Sequence, residues 1–161
     1  MFNPNLPTYP DQNINLNQSE LLGQIVDMFN SDVFISGRHG QLTLTQVDDD
    51  NYRLTFDNPQ NHEDTNSKTT EGNFESIINL LSKMKSELYN SENINFGNDL
   101  KSLTSTLRSV FSDQLEVKSD KFDFQNPTFK LKFNNKIVLE NYPEDKLVKL
   151  LNNLIYIFNK N

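Results

Sequence analysis

The apolar residues of this chain switch between two periods along its length, and that switching sets its fold class. Phe74, Ile77, Ile78, Leu81, Met84 and Leu88 recur at helical spacing with polar residues between them, the stripe of a helix buried on one side. Shortly before them, Tyr52, Leu54 and Phe56 alternate with Arg53 and Thr55, and Leu42, Leu44 and Val47 nearly alternate with Thr43, Thr45 and Gln46. That is the two-residue period of half-buried strands. Val33–Ser36 reads as a further short strand, with Gly37-Arg38-His39-Gly40 as one reversal and Asp48-Asp49-Asp50-Asn51 as the next.

The same succession returns downstream. Leu100, Leu103, Leu107 and Val110 form a narrow leucine seam, with Asn98 or Asp99 as the helix cap. Leu115–Val117, Phe122–Phe124, Phe129–Phe133 and Ile137–Leu139 then alternate, and Asn134-Asn135 suits a two-residue hairpin turn. Pro143 at a first helical position, followed by Glu144 and Asp145, opens a last helix. Leu147, Val148, Leu150, Leu151, Leu154, Ile155, Ile157 and Phe158 cover most of its circumference, so it must be buried on several sides or lie in an interface.

At the front, residues 1–18 carry three prolines and many asparagines without an apolar period, and read as an extended arm. A helix follows, with Ser19 as N-cap and Leu21, Leu22, Ile25, Val26, Met28 and Phe29 as its stripe. Asn58 to Gly72 offers no apolar side chain apart from the ring of Pro59, the signature of a long polar loop. The expected fold is α+β: two short antiparallel meanders packed against four helices in one domain over 19–161. The halves, 19–90 and 97–161, repeat a helix-βββ-helix layout.

Composition narrows the function. The net charge is −7 and the only arginines are Arg38, Arg53 and Arg108, far apart. Neutralising a polyanion requires clustered cations, so direct nucleic-acid binding is not expected. Without cysteine there is no disulfide framework, thiolate metal site or cysteine nucleophile. No apolar run approaches the ~18 residues of a membrane span, and the first residues lack a signal peptide's basic and apolar regions, so the expected location is the cytoplasm. Alanine is missing while asparagine occurs 24 times, a bias typical of AT-rich codon usage. On that ground the asparagines carry no functional signal.

Candidate chemistry is sparse. His39 and His62 are the only histidines, and Glu63 and Asp64 flank the latter. An imidazole with a carboxylate can do acid–base work or hold a metal, but both histidines fall on turns without ligand spacing. Asp48-Asp49-Asp50 lacks the central glycine and closing glutamate of a calcium loop; Arg53 and Phe56 stand in that stretch. Gly37–Gly40 joins two strands rather than a strand and a helix, so it is no phosphate loop. Phe129, Leu131 and Phe133 share one face of a strand and Lys130 and Lys132 the other, which separates rings from cations and argues against base stacking. No catalytic residue, metal or cofactor is therefore assigned.

In element order and acidity, residues 19–158 resemble the small acidic chaperones of bacterial secretion systems. The resemblance is one of layout, without a shared motif, and the second β block is longer than theirs. It implies a dimer that holds a partner's extended segment along a sheet or groove. The expectation is a non-catalytic protein-binding module of adaptor or secretion/effector-chaperone type. It would act on another protein or a second copy through Leu100, Leu103, Leu107, Val110, Leu154, Ile157 and Phe158. The alternatives are an acidic decoy mimicking nucleic acid with Asp48–Asp50, Asp57, Glu63 and Asp64, and a small hydrolase or ligand-binding protein using the loop histidines.

Overall fold

A computed structural model describes residues 14–31, 41–57, 68–89, 95–121 and 125–159. In chain order they form α1 (Ile14–Ser31), β1 (Gln41–Gln46), β2 (Tyr52–Asp57), β3 (Lys68–Gly72), α2 (Phe74–Tyr89), α3 (Leu100–Phe111), β4 (Leu115–Lys121), β5 (Thr128–Phe133), β6 (Lys136–Pro143) and α4 (Glu144–Phe158). The fold is α+β: four helices and two three-stranded antiparallel sheets, ordered β1-β2-β3 and β4-β5-β6. Each half runs helix, three strands, helix. Among the described residues no helix is long and apolar enough to cross a membrane.

Two elements depart from the sequence expectation. The third strand of the first sheet comes from the stretch expected to be a polar loop: β3 pairs with β2 from Tyr52↔Gly72 to Phe56↔Lys68. Thr69, Thr70 and Glu71 are exposed, so β3 has no apolar alternation to betray it. Its ladder hydrogen bonds, the Arg53–Glu71 ion pair and the Thr55–Thr69 hydroxyl contact hold it instead. The Val33–Ser36 strand and the glycine reversal lie outside the described residues, as do Phe122–Phe124.

α1 begins at Ile14, inside the stretch read as an arm, and Ser19 is not its cap. The extra turn is stabilised from far away in sequence. Asn17 Nδ2 donates to the Ile137 carbonyl at 2.9 Å and Gln18 Nε2 to that of Val138 at 2.8 Å. Burying amides costs free energy unless they are bonded, and here the bonds are to the outer edge of β6. At the other end of α1, Asn30 donates to the Leu42 carbonyl at 2.9 Å and accepts from the Leu42 N–H at 2.8 Å. Its amide stands in for a neighbouring strand's peptide group. One helix thereby covers an edge of both sheets.

The remaining elements follow their local chemistry. Asp99 caps α3, accepting from the Ser102 N–H at 2.7 Å, while Ser102 Oγ accepts from the Asp99 N–H at 3.3 Å. Asn134 and Asn135 both take positive φ (54° and 65°), the backbone of a hairpin turn that asparagine tolerates. Pro143 sits at the N-cap of α4, one place earlier than expected. Gly97 allows close passage before α3: a Cβ there would meet Ser102 Oγ at 2.5 Å.

The halves join through α2 and α4. Asn153 donates to Asn79 Oδ1 at 2.5 Å and accepts from Ser82 Oγ at 3.2 Å. One turn on, Lys85 Nζ donates to the carbonyls of Tyr156, Ile157 and Asn159 at 2.6, 3.2 and 2.9 Å. Contacts advance along both helices together, so α2 and α4 run side by side in the same direction. The Lys85 ammonium satisfies the orphan carbonyls at the negative end of α4. Leu21, Ile25, Tyr52, Ile78, Leu81, Leu131, Leu151 and Leu154 belong to one continuous core spanning both halves.

Candidate functional site

A shallow groove of about 650 Å3 lies where the halves meet. Ile14, Asn15 and Gln18 of α1 form one wall, Asn73, Phe74 and Glu75 at the start of α2 another, and Leu139, Glu140 and Tyr142 of β6 a third, with Asp50 at the end. In a regular strand Leu139 and Tyr142 would point to opposite faces. The register between β5 and β6 slips there, Leu131 facing Leu139 but Phe129 facing Tyr142, and Asn141 takes φ 58°. This bulge turns Tyr142 into the same groove.

Two tyrosines order the site. The Tyr142 hydroxyl donates to the Glu75 carboxylate. Burial, then that hydrogen bond and the nearby negative charge of Glu75 and Asp145, push the phenol well above its ordinary range. Tyr142 is thus a neutral donor at physiological pH. Beneath the groove, the buried Tyr52 hydroxyl donates to the Asn15 carbonyl at 3.1 Å and lies 3.4 Å from Gln18 Oε1. Burial first, and the Asp50 charge second, push Tyr52 up to about 12. Gln18 therefore links Tyr52 of the first sheet to the β6 backbone of the second, and fixes the distance between the walls.

The sequence-nominated residues are placed as follows. Leu103, Leu154 and Ile157 are buried in the chain's own core. Leu100, Leu107, Val110 and Phe158 pack on that core while keeping part of their surface, Phe158 meeting the Phe111 ring edge-on at 5.0 Å. The leucine seam is in large part the α3–α4 contact. Asp48 closes the β1–β2 turn, accepting from the Asp50 N–H and from Asn51 Nδ2, both at 2.9 Å. Asp57, paired with Gln41, stands at the opposite end of that hairpin, so the two carboxylate groups are not brought together. Leu131 and Phe133 are buried and Phe129 packs against the core, with Lys130 and Lys132 half-buried. His39, His62, Glu63 and Asp64 lie outside the described residues, and among the described residues no three His, Cys, Asp or Glu converge to hold a metal ion.

The groove is what sequence reasoning missed. Its walls come from four separated segments, and Leu139 and Tyr142 share it only through the bulge. The asparagines, set aside as codon bias, have structural duties. Besides Asn17 and Asn30, Asn152 accepts from the Phe96 N–H at 2.6 Å and donates to the Gly97 carbonyl at 2.9 Å, clamping the approach to α3. Chemically, the groove is lined by apolar side chains, three carboxylates and a neutral phenol. Compared with family models, curated proteins and solved structures, the chain matches none of them.

Proposed function

We propose that this chain is a non-catalytic protein-binding module of adaptor or chaperone type, working in the cytoplasm, that takes an extended segment of another protein into the groove between α1, α2 and β6. The observation that carries the reading is that the groove is lined both by apolar side chains (Ile14, Phe74, Leu139) and by the carboxylates of Asp50, Glu75 and Glu140. Such a lining favours a partner segment bearing lysine or arginine among apolar residues, with the chain's net charge of −7 steering its approach. The part-exposed Leu100, Leu107, Val110 and Phe158 offer a second, apolar contact.

A photoreactive side chain at the exposed Asn73, followed by capture from the native host and mass spectrometry, tests this. The expected result is one prominent cross-linked protein whose yield falls several-fold in the Asp50→Lys/Glu140→Lys variant and falls with added salt. A cross-link indifferent to both changes, or none at all, would refute the reading.

A further inference from the structure

Four strand edges end the two sheets, and they are treated differently. The β6 edge is covered by the Asn17 and Gln18 amides, and the β1 edge by the two-way bond of Asn30 to Leu42. β3 is five residues long and leads directly into α2. β4 is seven residues long, no strand among the described residues pairs with its outer side, and Lys118 and Ser119 are exposed. An edge of that length left uncovered among the described residues presents N–H and C=O groups ready for another strand.

The side chains on β4 say which strand fits. Leu115 is buried against the core and Val117 packs on it, while Glu116 and Lys118 project from the other face, 3.7 Å apart. If two β4 strands pair antiparallel about Val117, each Glu116 faces the other copy's Lys118. Val117 meets Val117, and Leu115 meets Ser119 on the core side. Centring the pair on Glu116 or Lys118 sets like charges opposite, and centring it between residues turns one copy's core face outward. Among registers centred within Glu116–Lys118, the one at Val117 satisfies both faces and both charges.

We infer that β4 pairs antiparallel with β4 of a second copy of this chain, about a two-fold axis at Val117, joining the two sheets into one of six strands. The contact is isologous, as closed dimers require. This inference is independent of the groove, which lies against β6 at the opposite edge of the sheet.

Sedimentation equilibrium decides it by charge swapping. The wild-type chain should sediment at twice its 18.7 kDa mass. Glu116→Lys alone and Lys118→Glu alone should each weaken the dimer by roughly tenfold or more, because two cross-strand pairs turn repulsive at once. An equimolar mixture of the two variants restores opposite charges at both positions and should recover a mixed dimer. The double variant Glu116→Lys/Lys118→Glu should recover a homodimer. Circular dichroism checks that each variant folds, and a variant that does not is replaced by the milder Glu116→Gln or Lys118→Gln. A monomeric wild type, a dimer that the single swaps leave intact, or single-swap monomers that mixing does not bring back to a dimer, would overturn the proposal.

Discussion

The two halves share one layout but finish their sheets differently. In the first, α1 is 18 residues long and places Asn30 against the β1 edge while its opening turn reaches β6. In the second, α3 is 12 residues long, begins at the Asp99–Ser102 cap and ends at Phe111. At 1.5 Å per residue the lengths differ by roughly 9 Å, and among the described residues β4 has no amide set along its edge as β1 does. Whether a sheet edge is closed or available is therefore set not by the fold but by how far the preceding helix runs and where its amides fall.

The largest expected effect tests whether the halves act as one body. Leu154 is fully buried in α4, the helix that packs on both α2 and α3. Leu154→Ala should cost about 2–5 kcal/mol and shift a single urea transition followed by circular dichroism and tyrosine fluorescence. Two separate transitions would mean that the halves fold independently and that the α2–α4 contact is secondary.

Removing the first half's edge cover is the next test. Asn30→Ala leaves the Leu42 N–H and carbonyl without their partners and should cost about 1–3 kcal/mol. Hydrogen exchange at the Leu42 amide should accelerate, while exchange at Val117 should not change. Equal acceleration at both would show that Asn30 stabilises the molecule globally rather than covering one edge.

A smaller effect appears at alkaline pH. Because Tyr52 is raised to about 12, chiefly by burial, its neutral form stabilises the fold fully below the ordinary phenol value near 10, and that stability is lost as pH rises through about 12. Tyrosinate absorbance and circular dichroism should change together in that window. Asp50→Asn should move the Tyr52 titration slightly downward, since the Asp50 charge is the lesser cause. Ionisation of every tyrosine near 10 with the fold intact would contradict the link between the Tyr52 hydroxyl and α1.

Much of the architecture was legible. The stripe from Phe74 marked the start of α2, Asn98 or Asp99 was expected to cap α3 and Asp99 does, and Asn134-Asn135 marked the β5–β6 hairpin. In each case the signal is local: a face to bury, an orphan N–H to satisfy, or a backbone angle that few residues tolerate. The groove was not legible, because a bulge at Glu140–Asn141 and a turn at Asp50 bring together residues that no period relates. Nor was the work of the asparagines. An amide that completes a sheet edge looks in sequence like any other polar residue.

The alternation of two- and three-to-four-residue periods determines by itself that this chain makes two β blocks, each flanked by helices, because burying apolar side chains is periodic and leaves its period in the sequence. Only the tertiary structure decided that Lys68–Gly72 is a strand, that α1 starts at Ile14, and which strand edges are covered. Those features rest on hydrogen bonds between main chain and distant amides, and a bond from Asn17 to Ile137, 120 residues away, writes no pattern around either partner.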